Sequence, residues 1–368
     1  MYRIVVPDRS AREVLEQRAI PYRAVMAHRG ASIVAPESTR PAYERARDLG
    51  ADYLEADVQR SADGVLIIFH DSDLQRTSNL DDVFPDRRDE PVGSFTFEEL
   101  RRLDYGSWFN EKSRLHARPE YAGLEILTLR ELIQIAREGE HRPGLILESK
   151  HPERYPGIER QIIDVLLEEG WLRPGRDGAI YDVGAIYGSY GEANAGKRGD
   201  SAGGTARPGK QSPSTGAGDP TEHAEHAGLR ASSPRFTRTI FFSFSLESLY
   251  AFQELAPEIP RLLLISDNMI SRRGWQRWLD WAEPVADGIG IKGFIAWPWH
   301  ISAAHGRGLF LYPYTINSLW QIRVLAQFQA AGFITDRPEM VLDFFNRLPE
   351  QPPVSTDRGP QIPSQAEH

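Results

Sequence analysis

Two acidic residues, Glu55 and Asp57, lie two positions apart within an apolar run of the sequence. In a β-strand this spacing places both side chains on the same face of the sheet. Neighbouring carboxylates repel one another unless a proton or a cation lies between them, and hard oxygen ligands of this kind suit Mg²⁺ or Ca²⁺. The pair therefore indicates a site for a divalent cation. The alternative is that each carboxylate forms an ordinary ion pair.

Two histidines, His28 and His70, each stand at the end of another apolar run nearby in the sequence. Imidazole titrates near neutral pH, so two histidines can exchange the roles of general base and general acid during one reaction. A single histidine at a strand end is more often structural than catalytic. The sequence does not assign which of the two would be the acid and which the base.

Three short runs rich in β-branched or aromatic residues, 24–26, 53–58 and 65–69, predict the strands that would position these side chains. Between the first two strands, residues 39–49 place apolar side chains at helical spacing. Such a strand, helix, strand unit is usually parallel, and the carboxyl ends of parallel strands are the usual place for a site. Too few residues separate the second and third strands for a helix. One connecting helix should therefore be missing after the second strand.

The rest of the chain continues the alternation of strands and helices. Strands are predicted at 144–147, 238–244, 261–265, 309–315 and 332–335, and helices at 128–137, 158–169, 246–254, 271–281 and 319–330. Residues 289–299 fit either kind of element. This pattern and the length of 368 residues predict an α/β fold, a TIM-type (β/α) barrel, with insertions, as one domain.

We divide the chain into a lead-in at 1–23, the barrel at 24–346, and a tail at 347–368 that is predicted to be disordered from its composition. Two insertions interrupt the barrel, at 72–126 and at 187–234. The second is rich in Gly, Ser, Ala, Pro and Thr, which predicts a disordered surface segment. We expect its two histidines to be solvated rather than to bind zinc; they are His223 and His226.

The insertion at 72–126 follows a strand, so it is expected at the active-site end of the barrel. Thr96 and Glu99 have the spacing of a capping box, which predicts the start of a helix. Aromatic residues of the insertion either line a substrate pocket or pack the insertion onto the barrel; they are Tyr105, Trp108 and Phe109.

Composition excludes several classes of protein. A net charge of −9 without a basic tract argues against a nucleic-acid binder, and the absence of cysteine excludes disulfides and thiolate metal sites. The sequence has no run of about 18 apolar residues and no uninterrupted apolar segment near its start, so we expect no integral membrane segment and a cytoplasmic location. No Walker loop or GxGxxG motif supports a nucleotide cofactor. Oligomeric state stays open.

Several short motifs resemble, in type and in order, those of the glycerophosphodiester phosphodiesterase family. The first group contains HRG at 28–30, PES at 36–38, ExD at 55–57, the DG turn at 63–64, HD at 70–71 and RT at 76–77. The second group contains LDYGSWFN at 103–110, ExK at 148–150, SFS at 243–245, YTIN at 314–317 and ITDRP at 334–338. Each motif alone is weak, but their common order over residues 25–342 is specific.

The resemblance implies hydrolysis of glycerophosphodiesters, such as glycerophosphocholine or glycerophosphoethanolamine, to sn-glycerol 3-phosphate and the free alcohol. It also implies that the neighbouring glycerol hydroxyl could attack first, giving a cyclic phosphate that water then opens. On this interpretation the substrate is a small molecule, and His28 and His70 are the general acid and base. Glu55, Asp57 and Glu148 would hold one divalent cation, Mg²⁺ or Ca²⁺, which polarises the phosphoryl oxygen.

The resemblance also assigns substrate-binding residues. Arg29 and Lys150 would bind the phosphate oxygens, although either cation could instead neutralise the carboxylates, and Lys150 could pair locally with Glu148. Glu37 would orient Arg29 or contact a substrate hydroxyl, with a role at the entry to a helix as the alternative. Tyr314 stands where the family often has tryptophan, and PES replaces the commoner PEN. The difference at Tyr314 leaves the head-group preference open.

Two rival interpretations remain at this point. A lysophospholipase D would perform the same chemistry on a larger lipid substrate and would need an apolar channel. An aromatic stretch could line such a channel or could belong to the core; it contains Phe294, Trp297 and Trp299. A non-catalytic phosphodiester-binding barrel is the other rival, but the presence of both histidines and all three carboxylates argues against it.

Overall fold

The computed structural model describes residues 11–175, 178–182, 236–266 and 272–349. Its strands are short and mostly buried. In chain order they are β1 (Ala24–His28), β2 (Tyr53–Arg60), β3 (Leu66–Ile68), β4 (Leu127–Thr128), β5 (Gly144–Ser149), β6 (Leu172–Pro174), β7 (Ile180–Asp182), β8 (Thr239–Ser243), β9 (Arg261–Ile265), β10 (Gly288–Lys292), β11 (Phe310–Tyr314) and β12 (Gly332–Thr335).

Helices alternate with most of these strands. In chain order they are α1 (Ala11–Gln17), α2 (Arg40–Asp48), α3 (Leu80–Val83), α4 (Phe97–Arg101), α5 (Ser107–Lys112), α6 (Leu129–Arg137), α7 (Ile158–Glu168), α8 (Leu246–Leu255), α9 (Arg272–Ala282), α10 (Pro298–His305), α11 (Leu319–Gln327) and α12 (Pro338–Phe344). The predicted barrel helices are confirmed within a few residues at each end. The ambiguous stretch 289–299 contains strand β10 and the start of α10.

Eight parallel strands form the main sheet in the order β11, β10, β9, β8, β5, β2, β1 and β12. Among the described residues no continuous ladder joins the two ends of this order. Backbone hydrogen bonds nevertheless connect them, from Ala331 N–H to Leu311 O at 3.1 Å and from Ile316 N–H to Ile334 O at 2.9 Å. The strand order and the connecting helices are those of the predicted TIM-type (β/α) barrel.

Strand β3 differs from its predicted place in the barrel. Residues 61–65 form no helix, as predicted, but β3 pairs antiparallel with β2, and Val58 lies opposite Ile68. The parallel neighbour of β2 is β5, and α6 lies between them in the sequence. The connecting helix is therefore present, because β3 is a hairpin partner of β2 rather than a barrel strand. The hairpin returns the chain to the carboxyl end of β2, where Phe69 N–H donates to Asp57 O at 3.0 Å.

The interior of the barrel is filled by alternate residues of the parallel strands. Large side chains from seven of the eight strands pack in one buried cluster, which contains Met26, Tyr53, Ile146, Ile240, Leu264, Tyr312 and Ile334 among others. The eighth strand, β10, contributes glycines. A Cβ atom on Gly290 would lie 2.4 Å from Leu264 Cδ2, and one on Gly288 would lie 2.5 Å from Phe310 Cδ2. Large neighbours therefore occupy the space that side chains of β10 would fill.

The lead-in closes one end of this interior. Leu15 and Ile20 are buried in the same cluster as the strand residues, and Arg23 N–H donates to Ala331 O at 2.7 Å. The predicted insertion at 187–234 and nearly all of the predicted tail lie outside the described residues. Within the described ranges no helix is both long enough and apolar enough to cross a membrane.

The insertion at 72–126 has a small core of its own, which packs on β3. The predicted capping box is confirmed, because the Thr96 side chain accepts from Glu99 N–H while Glu99 accepts from Thr96 N–H. The Tyr105 ring packs edge-on against Phe69, with centroids 5.9 Å apart, and Phe109 packs in the same manner against Tyr121. Tyr105 and Phe109 are therefore buried packing residues, and Tyr105 also lines a small cavity with Glu37 and His70. Trp108 is half-buried, and its indole N–H donates to Tyr105 O at 2.8 Å.

Candidate active site

Three buried carboxylates meet at the carboxyl ends of two adjacent strands. Glu55 and Asp57 lie on β2, and Asp57 is the register partner of Glu148 on β5. One carboxylate oxygen from each residue lies within 4.8 Å of the others. Burial and the charge of Asp57 raise the pKa of Glu55 well above its ordinary value, and burial also raises the pKa of Glu148. The cluster therefore needs positive charge from a bound cation or from neighbouring side chains.

Two basic side chains contact these carboxylates. Lys150 Nζ lies 2.8 Å from Glu148 Oε1 and 3.2 Å from Asp57 Oδ1. Arg29 Nε lies 3.1 Å from Asp57 Oδ2, and Arg29 N–H donates to Glu55 Oε2 at 3.0 Å. Burial alone would raise the pKa of Asp57, but the charges of Lys150 and Arg29 hold it well below its ordinary value. In this structure Arg29 and Lys150 thus neutralise carboxylates, which was the predicted alternative to phosphate binding.

The donor set fits one divalent cation. The oxygens of Glu55, Asp57 and Glu148 are hard ligands of the kind that Mg²⁺ and Ca²⁺ prefer. Asp57 Oδ2 is buried and accepts no hydrogen bond within the described residues, because Arg29 Nε approaches it in poor hydrogen-bond geometry. A buried carboxylate oxygen without a donor is available to a metal.

The backbone after β1 explains why the HRG motif requires a glycine. Arg29 has a φ of +56°, which is in the left-handed region, and Gly30 follows with a φ of +88°. A Cβ atom on Gly30 would lie 2.5 Å from the carbonyl carbon of Ala42 in α2. The turn therefore packs directly on the helix, and in this conformation the Arg29 N–H reaches Glu55.

His28 ends β1 and is oriented by a residue that follows β12. Its Nδ1 lies 2.6 Å from Asp336 Oδ1. Asp336 also accepts from Asn317 Nδ2 at 2.6 Å and from Ser32 Oγ at 3.1 Å, so three side chains fix its carboxylate. Burial and the adjacent Arg29 lower the pKa of His28, and Asp336 partly opposes this effect. The neutral imidazole is therefore the favoured form.

His70 has an equivalent arrangement with a different carboxylate. Its Nδ1 lies 2.6 Å from Asp71 Oδ1. The buried Gln59 of β2 holds this loop, because its Nε2 donates to Phe69 O at 2.7 Å and to Asp71 O at 2.8 Å. Gln59 Oε1 in turn accepts from the hydroxyl of Tyr155 at 3.1 Å. Both predicted histidines thus have a carboxylate on Nδ1.

Arg76 from the insertion connects the two halves of the site. Its guanidinium donates to Glu37 at 2.7 and 2.8 Å and to Asp71 Oδ2 at 2.5 Å. Glu37 also accepts from Arg29 Nη1 at 2.9 Å. The two arginines lower the pKa of Glu37 despite its burial. Glu37 therefore contacts Arg29, as one of its predicted roles requires, and its role toward substrate stays a prediction.

Tyr314 lies at the carboxyl end of β11 and reaches the site through one aromatic neighbour. Its hydroxyl donates to Ile265 O at 2.8 Å, and its ring packs edge-on against Phe244, with centroids 6.4 Å apart. Lys150 Nζ lies 5.7 Å from the centroid of the same Phe244 ring. The structure thus places Tyr314 and Lys150 against the same Phe244 ring, and the substrate-binding role of Tyr314 stays a prediction.

Among the described residues of the aromatic stretch after β10, Trp297 and Trp299 are exposed and so belong neither to the core nor to the wall of an enclosed channel. Trp297 and Trp299 are 52% and 58% exposed, and their rings stack in parallel with centroids 5.2 Å apart. The side chain of Phe294 lies outside the described part of the chain.

Several residues of the site had no predicted role. Asp336, Asn317, Asp71 and Arg76 fall within the motifs ITDRP, YTIN, HD and RT, so the motifs themselves were the available signal. Gln59 and Tyr155 are different, because they lie 96 positions apart and only the fold brings them together. No pattern in the sequence indicates their contact.

Comparisons with known proteins agree with this geometry. The model of the glycerophosphoryl diester phosphodiesterase family matches residues 28–161 and 216–340. A glycerophosphodiester phosphodiesterase of Bacillus subtilis (strain 168) is 28% identical over 315 residues, which cover 86% of this chain and 84% of that protein. A glycerophosphodiester phosphodiesterase of Caldanaerobacter subterraneus is 37% identical over 150 residues, which cover 39% of this chain and 52% of that protein.

Solved structures share the fold at low identity. A phosphodiesterase of Oleispira antarctica, in complex with the product sn-glycerol-3-phosphate, has a TM-score of 0.58 and 23% identity, and the match covers 92% of this chain and 100% of that one. A structure from Silicibacter pomeroyi has a TM-score of 0.60 and 19% identity, and the match covers 90% of this chain and 96% of that one. The family match extends over both histidines and all three carboxylates. The chain therefore belongs to the glycerophosphoryl diester phosphodiesterase family and is a phosphoric diester hydrolase.

Proposed function

We propose that this enzyme hydrolyses glycerophosphodiesters, such as glycerophosphocholine and glycerophosphoethanolamine, to sn-glycerol 3-phosphate and an alcohol. The observation that best supports the proposal is the buried cluster of three carboxylates beside two histidines, each with a carboxylate 2.6 Å from Nδ1. One divalent cation, Mg²⁺ or Ca²⁺, would be held by Glu55, Asp57 and Glu148. When bound, it would neutralise these carboxylates and polarise the phosphoryl oxygen.

The histidines would move the protons. A proton on Nδ1 that is donated to Asp336 or Asp71 leaves Nε2 of each ring to exchange a proton with the substrate. Because its neutral form is favoured, His28 would act as the base and accept the proton of the attacking glycerol hydroxyl. His70 would give a proton to the oxygen of the departing alcohol as the phosphorus–oxygen bond breaks.

The second half of the reaction would reverse these roles. The first step leaves a cyclic phosphate on the glycerol, a neutral His70 and a protonated His28. His70 would then take a proton from the attacking water, and His28 would return its proton to the glycerol oxygen when the ring opens. Both histidines end in their starting protonation states, so the cycle balances.

Arg29 and Lys150 would bind the phosphate. Both cations already lie within 3.2 Å of Asp57, so a phosphate placed at the carboxylate cluster would be within their reach. Glu37, held by Arg76, would keep the Arg29 guanidinium in place. Tyr314 and Phe244 would contact the alcohol portion and so influence the head-group preference.

Two relatives support the substrate class. The Bacillus subtilis relative is a glycerophosphodiester phosphodiesterase, and the Oleispira antarctica structure contains sn-glycerol-3-phosphate as a product. A lysolipid substrate is the alternative. The exposed Trp297 and Trp299 do not form the enclosed apolar channel that this alternative predicts.

The test is release of glycerol 3-phosphate from both diesters after EDTA treatment and after Mg²⁺ or Ca²⁺ is restored. We expect metal-dependent release that His28→Ala lowers by about 10³-fold or more. His116→Ala, which removes a histidine of the insertion outside the site, is the matched control and should retain activity. Turnover of a lysolipid but of neither diester would favour the alternative, and undiminished activity in His28→Ala would contradict the assigned base.

A further inference from the structure

Exposed tryptophans gather at the active-site end of one side of the barrel. Trp297 and Trp299 follow the carboxyl end of β10, and Trp320, which is 59% exposed, lies in the first turn of α11 beside the exposed Leu319. We call Trp297, Trp299, Leu319 and Trp320 the tryptophan patch. Soluble proteins seldom expose several large apolar side chains together, and such patches usually mark an interaction surface.

The fold brings the members of the patch to neighbouring loops. Strands β10 and β11 are parallel neighbours, and Lys292 and Tyr314 are paired where the two strands end. A Cβ atom on Gly293 would lie 2.1 Å from Ile316 Cδ1 and 3.6 Å from Gln321 Nε2, so the loop after β10 packs on the start of α11. Because loops after the carboxyl ends of barrel strands share one face, the patch lies on the same face as the candidate active site.

The charge of this region identifies the kind of partner. The chain has 52 acidic residues, but residues 288–335, from the start of β10 to the end of β12, include none. Lys292 is an exposed cation at the end of β10. Arg323 lies one turn after Trp320 on α11, is exposed, and has no ion-pair partner among the described residues. The segment from β10 to β12 therefore combines exposed tryptophan with positive charge and contains no acidic residue that would repel an anionic surface.

We propose that the tryptophan patch docks the enzyme on an anionic lipid–water interface. Tryptophan favours this boundary because its ring is apolar and its indole N–H is polar, and nearby Lys and Arg are attracted to anionic head groups. Docking of this kind holds the protein on the membrane surface and inserts no helix into it. It would turn the active-site face toward the lipid head groups. The inference goes beyond the proposed reaction and does not require it.

The test is flotation of the full chain with vesicles of phosphatidylcholine alone and of phosphatidylcholine with phosphatidylglycerol, at low and high salt. We expect binding to the anionic vesicles that weakens at high salt, because screening shortens the range of the charges. Trp297→Ala, Trp299→Ala and Trp320→Ala together should lower the partition coefficient at least about tenfold. Arg323→Glu should weaken binding several-fold at low salt and little at high salt.

Trp281→Ala is the matched control. Trp281 is also exposed, but it lies at the end of α9 beside the acidic residues Asp280 and Glu283, outside the patch, so its removal should leave vesicle binding unchanged. Circular dichroism of each variant checks the fold. Turnover of glycerophosphocholine, measured in parallel, tests the proposed function separately, since a chain that floats without turnover contradicts only that proposal.

Three results would overturn the docking proposal. They are no binding of the wild type to anionic vesicles at low salt, equal binding by the folded triple variant, and self-association in solution that depends on the same three tryptophans without vesicle binding. The last result would assign the patch to a second copy of the chain. A patch covered by a segment of the same chain would appear as tryptophans protected from a soluble quencher and an absence of flotation.

Discussion

The two sides of the barrel use the same architecture for different purposes. On the charged side, strands β1, β2 and β5 and the residue after β12 place His28, Glu55, Asp57, Glu148 and Asp336 at the active-site end. On the apolar side, β9, β10 and β11 end in Ile265, Lys292 and Tyr314, and the segment from β10 to β12 has no acidic residue. The repeated strands and helices therefore provide equivalent positions, and the chemistry depends on which strand ends carry ionisable groups.

The largest expected effect comes from comparing one buried aspartate on each side. Asp57→Asn removes the charge that Arg29 and Lys150 contact, so we expect kcat/KM to fall about 10³-fold or more. Asp287→Asn on the apolar side removes a partner of Arg261 at the other end of β10. It should lower the free energy of unfolding by about 1–3 kcal/mol and leave turnover intact at temperatures where the variant is folded. Equal loss of turnover in both variants would contradict the assignment of the chemistry to the charged side of the barrel.

A smaller effect is expected from the carboxylate that orients His28. Asp336→Asn should lower kcat/KM about 10²-fold, because Nδ1 loses its charged partner. Asp336 raises the pKa of His28 while burial and Arg29 lower it, so its loss should move the acidic limb of the pH–rate profile to lower pH. Ser32→Ala is the control, because it removes hydrogen bonds to Asp336 and to the His28 carbonyl but no charge, and it should leave the limb in place. A limb that moves to higher pH would exclude His28 as the base.

The charged side should also make stability depend on pH and metal. The folded chain holds a proton on Glu55 more tightly than the unfolded chain does, because the pKa of Glu55 is raised from 4.5. In EDTA the contribution of Glu55 to the free energy of unfolding should therefore fall as pH rises above about 4.5. The lowered pKa of Asp57 contributes fully above its ordinary value of 3.8, whereas the lowered pKa values of His28 and His305 make stability rise as pH approaches 6.5. The contribution of Glu55 is therefore the difference between wild type and Glu55→Gln.

Urea denaturation of wild type and Glu55→Gln at pH 5 and pH 8 would measure this difference. Mg²⁺ or Ca²⁺ at about 100 times its dissociation constant should restore about 2.7 kcal/mol at pH 8. In EDTA, the change in the free energy of unfolding from pH 5 to pH 8 should be more unfavourable for wild type than for Glu55→Gln, and the variant should show no gain from metal. An equal pH dependence of the two proteins in EDTA, with no response of wild type to either metal, would contradict the assignment of the cluster.

On the apolar side the smallest expected change affects stability only. Gly290→Ala places a methyl group 2.4 Å from Leu264 Cδ2, so we expect a loss of about 1–3 kcal/mol in the free energy of unfolding. Gly306→Ala is the matched control, because its Cβ would lie 3.4 Å from the nearest atom. A loss of turnover in Gly290→Ala at a temperature where it is fully folded would show that the packing beneath Tyr314, whose Cδ1 lies 3.7 Å from this Cβ, also shapes the site.

The sequence predicted the repeating part of the fold well. The helical spacing in 39–49 and the capping pattern at Thr96 depend on local residue types, and both elements form close to where they were predicted. The orientation of β3 could not be inferred, because a short apolar run fits a parallel or an antiparallel strand equally well. A hairpin requires only the turn between the two strands, and the DG turn at 63–64 was a signal for it.

The candidate site shows the same division between local and long-range information. The spacing of Glu55 and Asp57 predicted their shared face, and the structure places them beside Glu148. The pairing of His28 with Asp336 spans 308 positions, so only the neighbouring register of β1 and β12 brings the two together. Partners of this kind fall within motifs but have no local spacing rule that would predict the contact.

The arrangement of the site depends on the insertion through the contacts of Arg76. Arg76 belongs to the insertion, and it holds Glu37 of the loop after β1 together with Asp71, the partner of His70. A local opening of the insertion would release both carboxylates while the barrel stayed folded. If the proposed catalytic roles hold, the groups would keep their arrangement only while the Arg76 contacts persist, and amide hydrogen exchange in the insertion would report how often these contacts open.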